Sequence, residues 1–412
     1  MTLRVLHVFA PNYRLRFTGP VIQWRYYFNN WSDTGIKHFV LDATAKSILP
    51  GKDALNFELT GAHKVLRQSD RATWIIALIH SLTQLQGTYD LLHVHILWWG
   101  SLLLSVWAKH LHIPIIYESV LLDSDNPSSI LRERFGKLKL HLLRQYTGIL
   151  AISDFLAEDY LNNGFRSDQV HLLPNSVDTE LFHPSVSNSE KANLREKYQL
   201  PSESTILLFV GSLIYRKGFD ILVKGFISAC LRCPDLFLLA VGPAKAAENP
   251  SLDEVFISNL IQEISDNNLR NRVRFTGLIQ NREKLAELYR SADLFVLPSR
   301  NEGLPSVLLE GMASGLVPVV TDLPVLRNVI NQGVNGIKVP VDDVQALSDT
   351  ILQLSRDTEF QTELAKNARK TILSQHGFES WQQDLSEYYY TLKHKVTGNG
   401  IEDKQVDRRI QT

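Results

Sequence analysis

A chain of 412 residues exceeds what one hydrophobic core ordinarily supports, so two domains of similar size are expected. The formal net charge of −1, with 21% charged residues, removes the electrostatic case for nucleic acid or another strongly anionic partner. No apolar run approaches the roughly 18 residues that span a bilayer, and MTLRVLHVFAP lacks the order of a secretory leader, so a cytoplasmic protein with a small substrate is expected.

Short apolar runs rich in β-branched residues alternate with longer amphipathic stretches: LRVLHVFA, KHFVLDA, DLLHVHI, IPIIYES, GILAIS and VHLLPNS. Such runs suit strands buried on both faces, which implies a parallel sheet covered by helices. His93 and His95 flank Val94 and share one face of their strand, whose carboxyl end is His95. Metal binding needs further ligands, and none stands at readable spacing. Asp123, Ser124 and Asp125 spell a DxD, a pattern used elsewhere to hold a divalent ion, but two carboxylates around one residue are weak evidence. LRERFGKLKLHLLRQ puts Leu131, Phe135, Leu138 and Leu142 on one helical face amid basic groups, which fits an ordinary surface helix or peripheral membrane contact through residues 131–144.

Polar composition with Pro184 and Pro201 places a linker at residues 184–203, between an N-terminal domain (1–183) and a C-terminal one (204–377), although its NSEKANLREKYQL is periodic enough for a short helix. The alternation then restarts with TILLFVGS, LFLLAVGP, RVRFTGL, DLFVLPS and LVPVVTD, as two doubly wound domains require. Cys230 and Cys233 form a CxxC with no second pair to complete a zinc site, and helix packing accounts for them. In SRNEGLPSVLLEGMASGLVPVVTD a strand ends near Ser299, a turn carries Glu302 and Gly303, and Pro305 opens a helix that stops at Gly315.

Ligands of open parallel sheets bind beyond the carboxyl ends of the strands, where this turn emerges. The free backbone N–H groups near Leu304 to Val307, those of Leu304, Ser306 and Val307 since Pro305 has none, suit a phosphate at the positive helix end. Glu310 inside the helix can accept two hydrogen bonds from a ribose diol, Gly303 admits close backbone approach, and Glu302 can reach hydroxyls of a transferred group. Taken singly, each glutamate reads equally well as a solvated acid or a charge near a helix start. FESWQQDLSEYYYTLKHKV (378–396) spaces Phe378, Trp381, Leu385, Tyr388, Tyr389 and Leu392 at helical intervals. Residues 397–412 have the composition of a flexible tail.

The joint spacing is more specific. E-x7-E, realised as Glu302 to Glu310 in EGLPSVLLEGMASGLVPVV, resembles the signature of the retaining family 4 glycosyltransferases of GT-B fold. VGSLIYRKGFDIL, AISDFLAEDYLNNGFRSDQVHLLPNSVDTELF and VRFTGLI with LAELYRSADLFVLPS resemble further motifs of that family, in its order. The resemblance implies two Rossmann-like domains facing a cleft, with the C-terminal helix crossing back to the first. It implies a nucleotide-sugar donor (UDP- or GDP-sugar), a saccharide or lipid-linked acceptor, no cofactor and no metal, and a role in glycan or polysaccharide biosynthesis at the inner membrane face or in the cytoplasm. It assigns Lys217 to the donor diphosphate, Glu302 to the sugar and Glu310 to the ribose. Gly19, Gly211 and Gly242 would line the donor site, Ile279 would lie at the base, and His95 would contact sugar or acceptor.

Two departures stand out. The family commonly has GRL at the start of its lysine motif, and here the triplet is Gly211, Ser212 and Leu213; Arg216 is the candidate replacement for the missing cation. A histidine usually follows the fourth strand of the first domain, where this chain has Glu118, Ser119 and Val120. Glu118, Asp123 or Asp125 would then take acceptor contacts. These departures also fit a sugar-nucleotide-binding or scaffold subunit with weakened catalysis.

Overall fold

The computed structural model describes residues 2–9, 19–32, 34–41, 78–79, 82–245 and 252–397. The chain divides into two compact units, residues 1–173 with 382–412, and residues 174–381.

The first unit carries six parallel strands: β1 (Leu3–Val8), β2 (Ile36–Leu41), β3 (Leu91–Val94), β4 (Ile115–Ser119), β5 (Gly148–Ala151) and β6 (Val170–Leu172), in the order β2-β1-β3-β4-β5-β6. β1 and β4 are buried almost throughout, and their sequences are mostly apolar rather than alternating, interrupted by Arg4 and His7 in β1 and by Glu118 and Ser119 at the end of β4. The final helix, Phe378–Thr397, contributes residues from Gln382 onward to this unit. Its Tyr389 hydroxyl lies 2.6 Å from His93 Nδ1, and Lys393 pairs with Asp90 at 3.3 Å. The C-terminal segment thus closes one face of a sheet built from the start of the chain. Residues 398–412 and the loop 10–18 preceding Gly19 lie outside the described residues.

The second unit carries β7 (Thr205–Val210), β8 (Leu236–Val241), β9 (Val273–Phe275), β10 (Leu294–Leu297), β11 (Val317–Thr321) and β12 (Ile337–Val339), in the order β12-β11-β10-β7-β8-β9. All its pairings are parallel. The strand order reverses between β7 and β10, so a crevice opens at their carboxyl ends, where doubly wound sheets bind ligands. The stretch 184–203, expected as a linker, belongs to this unit. Its helix Asn188–Lys197 is fixed by Arg195, whose guanidinium reaches Asp293 at 2.7 Å and the Ser291 carbonyl at 3.0 Å. Leu194 and Leu200 are buried as well, so the segment packs on its unit although its composition is mostly polar. The edge strand β12 is three residues long, too short for periodicity to reveal.

Candidate functional site

β7 ends at Val210, and the chain leaves it through Gly211, a one-turn helix Tyr215–Lys217 and Gly218. Gly218 has φ +67°, and a Cβ there would stand 1.8 Å from the Pro298 carbonyl oxygen, so only glycine lets this turn lie against the end of β10. Arg300 locks the contact. Its N–H donates to the Arg216 carbonyl at 2.9 Å, its guanidinium grips both Asp220 oxygens at 2.8 Å, and it stacks 3.6 Å from the centre of the Tyr215 ring.

This scaffold brings Lys217 to Glu302. Lys217 Nζ donates to Glu302 Oε1 at 2.5 Å, the Ser299 hydroxyl donates to the same oxygen at 2.7 Å, and Arg216 Nη1 lies 3.5 Å from Oε2. Arg216 also donates to the Asn301 carbonyl at 2.7 Å. Burial pushes the Glu302 carboxyl up, but Lys217 and Arg216 outweigh it and hold the group below its ordinary value. The site therefore contains an ionised acid and two cations, with the lysine engaged by an internal anion.

Pro305 (φ −71°) precedes the helix Ser306–Ala313, whose start has no side-chain cap. Glu310 is buried in that helix, and the Tyr289 hydroxyl lies 3.1 Å from its Oε2. Burial raises the Glu310 carboxyl, with Arg282 and Tyr289 opposing the shift. Gly303 and Leu304 form the buried turn before the helix, and the Leu304 carbonyl accepts from Asn175 Nδ2 at 2.7 Å. Gly242 has φ +150°, and a Cβ on it would meet the Gly211 carbonyl oxygen at 1.9 Å. Its N–H donates to the Gly277 carbonyl at 3.1 Å. The ends of β7, β8 and β9 therefore meet backbone to backbone, with half-buried Ser212 and Ile279 beside them.

In the first unit, His95 follows β3 with its ring almost fully buried. Nδ1 lies 2.6 Å from Glu118 Oε2 and Nε2 lies 2.9 Å from His7 Nδ1, so both nitrogens are engaged within the protein. Glu118 also accepts from Trp24 Nε1 at 2.8 Å. Asp125 turns inward, accepting from the Val120 and Leu121 N–H groups at 3.0 Å and from the Tyr117 hydroxyl at 2.9 Å. Burial pushes its carboxyl up to about 6. Asp123 is exposed, 3.7 Å from Arg132. The DxD is thus split between a buried loop organiser and a surface ion pair. A cavity of 270 Å³ lies here, lined by His95, Trp98, Tyr117, Asp125 and Lys139 among others.

The 131–144 stretch is two helices, Pro127–Arg132 and Gly136–Leu143, rather than one, because Phe135 adopts φ +63° between them. Leu131, Phe135 and Leu138 remain 41%, 58% and 50% exposed, with Trp99 nearby. Sequence reasoning missed Ser299, Arg300, Tyr289, Trp24, His7 and His38. Only the last two had a readable signal, polar residues at positions where buried strands are otherwise apolar.

Two family descriptions match opposite halves of the chain: "Glycosyl transferases group 1" over residues 190–371 and "Glycosyltransferase Family 4" over residues 35–181. The chain is 34% identical over 202 residues to the mannosylfructose-phosphate synthase of Agrobacterium fabrum, covering 48% of this chain and 42% of that protein. It is 28% identical over 298 residues to a D-inositol 3-phosphate glycosyltransferase of Xylanimonas cellulosilytica, covering 69% and 68%. The aligned regions span about half the length of the first curated relatives matched, 42% and 54%. The Anabaena protein HepE, solved with UDP and glucose, superposes with a TM-score of 0.73 at 17% identity, covering 94% of this chain and 99% of that one, a likeness of fold.

Proposed function

The chain belongs to the family 4 glycosyltransferases of GT-B fold, and on that premise we propose that it moves a sugar from a UDP- or GDP-sugar to a saccharide or lipid-linked acceptor with retention of anomeric configuration. The observation that carries this reading is the buried Lys217–Glu302 pair at 2.5 Å, held with Arg216 at the reversal of strand order between β7 and β10. A departing nucleoside diphosphate needs positive charge in place before the bond breaks. Lys217, Arg216 and the uncapped start of the helix Ser306–Ala313 supply it, so the transfer step itself needs no metal. As the donor binds, its diphosphate takes Lys217 from Glu302, and the released carboxylate turns to the sugar hydroxyls. Glu310 accepts the ribose diol, and the side-chain-free floor of Gly211 and Gly242 leaves room for the phosphates, with Ile279 toward the base. No protein nucleophile is required when the acceptor hydroxyl approaches the face the diphosphate leaves and a phosphate oxygen takes its proton.

In the first unit, the cavity beside His95 and Asp125 is the candidate acceptor pocket. His95 lines its wall, held in place by its hydrogen bond to Glu118 rather than offering a free nitrogen. The exposed Leu131, Phe135 and Leu138, with Arg132, Lys137 and Lys139 on the same two helices, favour a lipid-linked acceptor and peripheral membrane contact. Among the described residues no helix is long and apolar enough to cross a membrane.

A panel of UDP- and GDP-sugars, read by released nucleotide and by NMR of the product anomer with and without EDTA, tests the reading. Retention and EDTA insensitivity are expected, and absence of donor binding across the panel would sink it. Saturable donor binding without turnover on any acceptor would instead favour a sugar-nucleotide-binding subunit, the reading suggested by Ser212 and Val120. Flotation with anionic liposomes that weakens in high salt is expected of the membrane contact, and its absence counts against that part alone.

A further inference from the structure

The first sheet carries a polar row across four adjacent strands. His38 lies on β2, His7 on β1, His93 on β3 with His95 just beyond it, and Glu118 on β4. His7 is paired in register with His93, and strand alternation puts all five side chains on one face. Trp24 and Phe28 of the helix Gly19–Asn30 pack on His7, and Tyr389 of the final helix packs on His93. His7 and His93 have no exposed surface.

Such a row is costly to bury unless its ring nitrogens are satisfied. The outward nitrogens are satisfied, each by a different acceptor. His95 Nδ1 faces Glu118 Oε2 at 2.6 Å, His7 Nε2 faces His38 Nδ1 at 2.8 Å, and His93 Nδ1 faces the Tyr389 hydroxyl at 2.6 Å. Of the remaining ring nitrogens, His7 Nδ1 and His95 Nε2 pair with each other at 2.9 Å, a contact a bound ion would replace, while His93 Nε2 and His38 Nε2 have no hydrogen-bond partner among the described residues. One ring nitrogen from each of the three residues falls within a span of 4.8 Å.

We propose that His7, His93 and His95 form a three-histidine site for a divalent transition-metal ion, zinc by choice of ligands, with Glu118, His38 and Tyr389 as the groups that orient them. Neutral imidazoles suit zinc, and metal-bound histidines nearly always donate their other N–H to a nearby acceptor. Here Glu118, His38 Nδ1 and the Tyr389 oxygen can all accept such a proton, which fixes every tautomer at once. With metal–nitrogen bonds of about 2.0–2.1 Å, tetrahedral ligand nitrogens stand roughly 3.3 Å apart, so on binding the 2.9 Å pair opens by a few tenths of an ångström and the third nitrogen, within the 4.8 Å span, draws in. The cations and acids assigned to the donor lie in the other unit, so the ion takes no part in donor binding, and three protein ligands leave its fourth position to water. It ties β1 to β3 directly, and through the three orienting groups it reaches β2, β4 and the final helix.

The test uses the full chain, stripped with a chelator, desalted and loaded with zinc or cobalt(II). Elemental analysis is expected to return one zinc per chain, cobalt to give the intense visible bands of a four-coordinate site, and the metal to raise Tm. His93→Gln should abolish stoichiometric binding, and Tyr389→Phe, which keeps all three ligands, should weaken it about 10–100-fold. His112→Gln, at an exposed histidine of the same unit, should change nothing. Circular dichroism of each metal-free variant establishes that it is folded, and if His93→Gln is not, Tyr389→Phe decides. Substoichiometric metal in a folded chain, affinity unchanged in Tyr389→Phe, or binding that survives in a folded His93→Gln variant would overturn the proposal. None of these readouts depends on sugar transfer.

Discussion

Replacing Lys217 by alanine separates two jobs that one ammonium performs. In the ligand-free protein it neutralises a carboxylate that is 4% exposed, at 2.5 Å. Removing one partner of a fully buried pair typically costs about 3–5 kcal/mol. Glu302 would keep the Ser299 hydroxyl at 2.7 Å and Arg216 at 3.5 Å, so a smaller loss of roughly 2 kcal/mol is expected. During transfer the same ammonium faces the leaving diphosphate, and loss of one preorganised charge donor lowers kcat by about 10²–10³-fold. Thermal melting reads the first effect and nucleotide release at saturating donor reads the second. The pH dependence supplies a further check. Net depression of the Glu302 carboxyl means that its stabilisation is present above the unfolded-state value and fades as pH falls through the folded one. Lys217→Ala should flatten that acid limb. A variant with lowered Tm but kcat within about threefold of the parent would refute the catalytic assignment, since a tenfold change corresponds to only ~1.4 kcal/mol.

Glu310→Gln should raise the Tm of the ligand-free protein, because burial disfavours the charged form of that carboxyl and a neutral amide avoids the cost; calorimetric donor titration should show affinity reduced about 10–100-fold through loss of one of the two carboxyl oxygens that would accept the ribose diol. Gly218→Ala forces a Cβ to 1.8 Å from the Pro298 carbonyl oxygen at φ +67°, so urea unfolding should show a loss of at least about 2 kcal/mol, with turnover falling as Lys217 is displaced. Asp125 has its carboxyl raised from 3.8 to about 6, so the native state binds its proton more tightly and stability falls as pH rises between those values. Parent and Asp125→Asn melting curves should therefore diverge over that interval by on the order of 2–3 kcal/mol, and parallel curves would count against the burial argument.

The parallel two-sheet architecture was legible in the sequence because strands covered on both faces read as near-continuous apolar runs, most clearly β7, β8 and β10. Glu302, Glu310 and Lys217 were legible for another reason: a strand, turn and helix in succession put any carboxylate at that spacing beside the strand ends. Tertiary structure alone decided what these groups touch. Lys217 meets Glu302 because β7 and β10 are neighbours, an order no local pattern encodes, and because Gly218 allows the two turns to pack together. Strand order likewise carried His7 to His93 and His95, turning a two-histidine motif with no readable third ligand into a cluster of three. Local sequence specifies elements through short-range sterics and burial, whereas contacts between residues 85 or more apart depend on which strands pair, a choice made by the whole core.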